Sequence, residues 1–367
     1  MFFLSYIFLI FIQFSFAAGP CANVNLISEV NSPFNKIPVY DQDGSGTCFA
    51  YAASQLLEYD QMKSGGQSRK YHPAWLALNH AMKKNQSSLK AGTTGETIAA
   101  LKNAPACDYD VVSNSLKKIV DKANITESEF ISIVDKYAQN LQQRFGKLSK
   151  EERSKLTNDD LYLGLEDTMK QQSCSTEFQS MSAIYAALLP FRMMDASSIM
   201  AGILLIDCGT NYDRVSIPKV SETTFSSNLA YGEKISNVLT NNKSPLVFSH
   251  CGLFWGSPEL TGIVNEVSRD IKEPDDKTCG AHESIIVGQR PVGQKCEYLV
   301  RNTWGNGWSK KNSNWKCFCR HKYTNEFVEE CSEKTHPSKN YSVEGCWVDE
   351  NIITRNTFKL YHVDKKR

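Results

Sequence analysis

The amino-acid sequence predicts an α+β chain whose helices come first and whose strands come last. Three observations carry that prediction. Behind Cys48, apolar residues recur at three- and four-residue spacing through Phe49, Ala52, Ala53, Leu56 and Leu57, until Gly65 and Gly66 stop the run. Residues 108 to 200 repeat helical periods that carry their own capping signals. From Pro245 the texture changes to short β-type runs, PLVFSH, ESIIVGQ and CEYLVRNTW, parted by Gly, Pro and Asp turns. A chain of 367 residues, 41% of them hydrophobic, can bury a substantial core.

The chain opens on a nearly unbroken apolar run, FFLSYIFLIFIQFSF at 2–16, which leads into the small-x-small triplet Ser15, Phe16, Ala17. This reads as a secretory signal peptide over residues 1–17, although no Lys or Arg precedes the run and the terminal amine is its one positive charge. The competing reading is an uncleaved anchor. No later stretch approaches the roughly 18 apolar residues of a spanning helix, so no membrane association is expected once the signal is removed. A formal charge of +1 shows no excess aimed at nucleic acid or at an anionic lipid surface. The expected location is secreted or otherwise extracytoplasmic. There, twelve cysteines imply disulfides, and setting Cys48 aside leaves an odd number, so at least one more is free or pairs between molecules. The spacing of Cys317, Cys319, Cys331 and Cys346 is unlike a zinc ribbon, which favours disulfides there and no metal.

Between the signal and Cys48, Pro33 and Pro38 favour an extended run up to Gln42. The segment DQDGSGTCFAY at 41–51 then sets one thiol at the mouth of a helix. Thr47 stands where it can cap that helix, and unpaired N–H groups with the positive end of the helix dipole favour thiolate. Gln42, six residues earlier, offers an amide donor that could join the Cys48 N–H in an oxyanion hole. A second helix is expected from Pro73 in HPAWLALNHAM, and a third behind Thr93, which with Glu96 has the spacing of a capping box. His72 and His80 fall in this helical region and read as rim or cap residues.

Further on, Thr126-x-x-Glu129 opens a helix whose face is marked by Phe130, Ile133, Val134, Tyr137, Leu141 and Phe145 and which Gly146 closes. Ser149-x-x-Glu152 opens another, and a third periodic stretch runs from Ser175 to a stop at Pro190. In the β-rich part, NWKCFCRH and TFKLYHV are further strand candidates. His282 stands immediately before an apolar strand in CGAHESIIVGQR, and Asn302 at the end of the next one in YLVRNTWGNGW. Two antiparallel strands joined by a turn near Pro291 would bring the two side chains together, with Asn302 fixing the imidazole tautomer. His250, at the end of PLVFSH, is the competing histidine, but it lacks the downstream Asn-x-Trp-Gly. His321, His336 and His362 read as surface or packing residues.

IPVYDQDGSGTCFAYA resembles the active-site segment of papain-like cysteine peptidases. It departs from the usual C-G-[SA]-C-[WY] core at Ser45, where a disulfide cysteine is expected, at Thr47 and at Phe49. HESIIVG resembles the family's histidine pattern, with Glu283 in place of a small residue, and NTWGNGW its Asn-Ser-Trp-Gly signature. Ala91-Gly92 stands where the family tends to have a Gly pair bordering the cleft. Cys48 and His282 lie 234 residues apart, against roughly 130 to 150 in papain-type enzymes, and the helical stretch at 108–200 accounts for the excess.

The resemblance implies a two-domain fold: a helical half at 18–107, an inserted helical subdomain at 108–200 and a β-barrel-like half at 201–367, with the active-site cleft between the halves. It implies Cys48 as nucleophile, His282 as base, Asn302 as orienter and Gln42 in the oxyanion hole. Gly92, Thr93, Ala281 and Trp304 are placed along the substrate cleft. The expected activity is hydrolysis of a peptide or protein substrate through a thioester, by a monomer needing no cofactor and no metal. The alternatives are an inactive peptide- or protein-binding module and a Cys-His acyltransferase or cell-wall amidase. The segment ahead of Cys48 is too short for a helical inhibitory propeptide, so no restraint of that kind is expected.

Overall fold

The computed structural model describes residues 21–364 apart from 43–44, 66–69, 103–106, 150, 153–154, 172–177, 189–194, 209–216, 226, 253–279, 306–315, 332–334 and 338. The signal segment 1–17, Cys174 and Cys279 lie outside them. The chain order is strand β1 (Val24–Asn25), helices α1 (Cys48–Lys63), α2 (Pro73–Lys84), α3 (Thr94–Ala100), α4 (Tyr109–Ala123), α5 (Glu127–Phe145), α6 (Asn158–Gln171), α7 (Phe178–Leu188) and α8 (Ala196–Cys208). Strand β2 (Val220–Thr223) and helix α9 (Asn228–Asn237) lead into β3 (Leu246–Cys251), β4 (Ala281–Val292) and β5 (Lys295–Arg301). After these come β6 (Cys317–His321), β7 (Phe327–Cys331), β8 (Tyr341–Asp349), α10 (Glu350–Asn356) and β9 (Thr357–Val363).

The strands form one antiparallel sheet in the order β2-β9-β3-β4-β5-β8-β6-β7, with β1 added along β4. The barrel expected of the C-terminal half is therefore, among the described residues, an open sheet ending at β2 and β7. Its centre is the β3–β4–β5 meander. β4 and β5 pair from Ile285↔Arg301 to Val292↔Lys295 around a turn at Gly293, so the hairpin read from Pro291 is present. β4 is buried on both faces from His282 to Gln289, with α1 packed against it. At Gly288 an added Cβ would lie 2.6 Å from the Val24 carbonyl oxygen, so β1 can pair there because β4 has no side chain at that point.

Two apolar clusters hold the molecule. One lies between α1 and the sheet, joining Phe49, Ala53, Leu56 and Leu57 to Phe248, Ile285, Ile286 and Leu299. The other joins α4 to α8 through Val112, Leu116, Phe130, Ile133, Tyr137, Leu165, Ile184, Ile199 and Leu204. α2 faces both, giving Leu76 and Ala77 to the first cluster and Ala74, Trp75, Leu78 and Ala81 to the second.

Local signals decide several helix ends. α5 opens on a complete capping box between Thr126 and Glu129 and closes at Gly146. At α3 only half of the box forms: the Thr93 hydroxyl takes the Glu96 N–H, but the Glu96 carboxylate is drawn to Lys84. The run from Pro33 is a 3₁₀ turn over Pro33–Asn35 and not a strand, because Ser32 caps it and Pro33 supplies a helical φ. Four disulfides, Cys21–Cys296, Cys107–Cys208, Cys317–Cys346 and Cys319–Cys331, fit an extracellular or oxidising compartment. Cys48 and Cys251 are free thiols, and no described helix is long and apolar enough to cross a membrane.

Candidate active site

Cys48 is the first residue of α1, buried against the end of β4. Thr47 occupies the cap position without giving a side-chain cap bond, because its hydroxyl is held 2.6 Å from that of Ser45. Ser45, where a disulfide cysteine was expected, thus ties the loop by a hydrogen bond. The backbone N–H groups of Glu283, Phe49 and Cys48 point to the sulfur and favour its thiolate. Burial and the Glu283 carboxylate oppose them and push the Cys48 thiol up to about 12.

His282 enters at the start of β4, beside the sulfur's Glu283 N–H partner. Its Nε2 donates to Asn302 Oδ1 at 2.7 Å, which leaves Nδ1 as the lone-pair nitrogen. Thr303 N (2.8 Å) and Ser284 Oγ (3.2 Å) donate to the same Asn302 oxygen. Trp304 covers His282 at a centroid distance of 4.7 Å. Burial pulls His282 down to about 4, against a smaller upward pull from Asn302. Burial thus works against charge on both the thiol and the imidazole. The thiolate read from the helix terminus is corrected: desolvation and a neighbouring carboxylate outweigh the backbone dipoles.

Gln42 is held by the strand end that carries Asn302. Its N–H donates to Thr303 O at 2.7 Å, and its Oε1 accepts from Thr303 Oγ1, so the amide NH2 is the end left to act as donor. Asp41 bridges Trp304, and Gly305 N donates to Tyr40 O at 3.2 Å. Gly305 has φ +58°, and a Cβ there would strike the Asp41 carboxylate, so this crossing requires glycine. From the other side Ser128 Oγ, at the start of α5, donates to Asp41 O at 3.1 Å.

The cleft residues are placed unevenly. Gly92 is wedged between the Phe49 and His80 rings, 2.7 and 2.9 Å from where a Cβ would stand, which makes it a packing residue. Thr93 caps α3, while Ala281 and Trp304 flank His282. His72 caps α2 as expected, but His80 is buried rather than at a rim. Asn306 to Trp308 of the NTWGNGW run lie outside the described residues. His250, set aside on sequence, is the direct register partner of His282. Its signal was its place in a strand that antiparallel pairing brings against HESIIVG. Among the described residues no group of acidic, His or Cys side chains could hold a metal.

No family model and no curated relative matches the chain. Among solved structures, xylellain, a cysteine protease from Xylella fastidiosa, is similar at 12% identity and a TM-score of 0.43, covering 96% of this chain and 88% of that one. A structure reported for antibody cross reactivity between the mite allergens Blo t 1 and Der p 1 is similar at 13% identity and a TM-score of 0.36, covering 89% and 75%. Neither likeness is close enough to assign a family.

Proposed function

We propose that the chain is an exported papain-like cysteine peptidase, with Cys48 as nucleophile, His282 as base and then acid, Asn302 as orienter and Gln42 as oxyanion donor. The observation that carries the reading is the His282 Nε2 to Asn302 Oδ1 bond, with the Cys48 sulfur at the amide of the next residue. A His held through Nε2 keeps Nδ1 for a thiol proton. The Cys48 proton passes to Nδ1 as sulfur attacks the substrate carbonyl. The carbonyl oxygen becomes an oxyanion beside the Cys48 N–H and the Gln42 NH2. Collapse expels the amine, which takes the proton from His282 and leaves a thioester. Water, losing a proton to His282, then releases the acid and restores the thiol.

Export is proposed to remove residues 1–17, in keeping with the four disulfides. The working form is a monomer acting on peptides or proteins. Incubation of the purified protein with a mixed peptide library, read by mass spectrometry, is expected to show cleaved bonds that vanish in Cys48→Ala. A library left intact by the wild type would overturn the reading. The neutral thiol beside a carboxylate favours a second reading, a catalytically silent peptide-binding module, for which bound but uncut peptides would be the result. Products joined to an added amine would instead indicate acyl transfer.

A further inference from the structure

The strand beside His282 carries a second buried imidazole. His250 pairs with His282 across β3 and β4, stacks on Phe248 at 4.2 Å and meets the His282 ring edge-on at 5.2 Å. Its Nε2 lies 3.1 Å from Ser284 Oγ, and Ser284 Oγ lies 3.2 Å from Asn302 Oδ1. With the His250 proton on Nε2, a continuous line of hydrogen bonds runs His250, Ser284, Asn302, His282. We propose that His250 and Ser284 are positioning residues for His282, a role that rests on the peptidase reading.

Asn302 Oδ1 receives His282 Nε2, Thr303 N and Ser284 Oγ, while Asn302 Nδ2 has no partner among the described residues. Among the described residues, the amide's orientation toward His282 is therefore set by the donors on its oxygen. Ser284 has a single hydroxyl proton. If it goes to Asn302, the Ser284 lone pairs face His250, whose Nε2 must then carry a proton. If His250 instead carries its one proton on Nδ1, 3.1 Å from Cys251 O, the hydroxyl turns to the bare Nε2 and Asn302 loses a donor. Burial keeps His250 neutral, so only one of these forms exists at a time. The tautomer of His250 thereby decides how firmly Asn302 holds His282.

The test uses the full secreted chain and two paired substitutions. Ser284→Ala removes the hydroxyl and Ser284→Thr keeps it. His250→Phe keeps the stacked ring without a donor, and His250→Gln keeps an N–H near the Nε2 position. Readouts are the rate of Cys48 alkylation by iodoacetamide across pH 5–9, the ¹⁵N shifts of His282, and the thermal midpoint. Removing the base in His282→Ala is expected to slow alkylation at pH 7 on the order of 100-fold. Ser284→Ala is expected to slow it about threefold to tenfold and to move His282 from an Nε2–H tautomer to a mixture, with Ser284→Thr recovering both. His250→Phe, which leaves the hydroxyl only Asn302 to donate to, is expected to raise the rate about twofold, with His250→Gln at the wild-type rate. Alkylation and ¹⁵N shifts equal to wild type in Ser284→Ala and His250→Phe, with His282→Ala still slow, would overturn the positioning role and leave the peptidase reading standing. An unaffected His282→Ala would overturn both. Should Ser284→Ala fail to fold, the His250 pair alone decides.

Discussion

Glu283 acts on Cys48 in two opposite senses from one position. Its backbone N–H supports a negative sulfur, while its carboxylate repels one. The carboxylate is buried and takes the Thr94 N–H at 3.0 Å as well as the Thr94 hydroxyl; Lys359 and Glu222 are the charges beyond it. Burial raises Glu283 to about 7. A folded-state value above the ordinary 4.5 means that the folded protein holds the proton longer than the unfolded chain. Stability should therefore fall as pH rises from the ordinary carboxylate range through 7. Glu283→Gln should remove that fall, a gain of up to about 3 kcal/mol at pH 8 and little at pH 4, read from urea midpoints at the two values. The same variant should speed Cys48 alkylation at pH 8, and an unchanged rate would mean that the charge does not reach the sulfur. His282 runs the other way. Depressed to about 4, it contributes stability above its ordinary value of 6.5, lost as pH falls through 4. The juxtaposition of His282 and Asn302 was legible because each lies inside a short pattern. The pull of Glu283 against charge on Cys48 was not, because it depends on which carboxylate the fold buries beside the thiol.

At the scale of elements, the start of α5 touches the loop that leads to Cys48. Ser128 Oγ donates to Asp41 O and lies 3.1 Å from the Tyr51 hydroxyl of α1, while Glu127 reaches His72 at 2.9 Å. Ser128→Ala would remove one partner from the Asp41 carbonyl and one from the buried Tyr51 hydroxyl. It should cost about 1–3 kcal/mol in urea unfolding and, if the loop shifts, lower turnover more than it raises KM. Wild-type values for both would make this contact incidental. α5 was readable because its capping box and its apolar face agree. β7, β8, α9 and α10 were not. Tyr341–Asp349 carries Glu344 and Gly345 where a strand pattern should be apolar or branched, and its pairing with β5 and β6 overrides that. In α9, Gly232 weakens the local helical signal. A Cβ there would meet the Glu350 carboxylate at 2.5 Å, so the glycine serves the crossing with α10.

For the whole molecule, the order of helices before strands was evident from periodicity, while the open strand order found among the described residues was not. Strand order depends on long-range partners that no local window contains. Disulfide connectivity was hidden for the same reason, and it has a consequence for the chain's continuity. Cys21 is bonded to Cys296, so every residue from Cys48 to His282 lies inside one covalent ring. A single backbone cut anywhere in that ring would not part the thiol-bearing piece from the imidazole-bearing piece. A protein nicked between residues 22 and 295 should run as one band on a non-reducing gel and as two after reduction, and should keep its Cys48 reactivity until reductant is added. Two bands without reductant would show that the ring is open. The ring makes a strand break a change of topology and not of composition: a nicked copy remains a single diffusing particle.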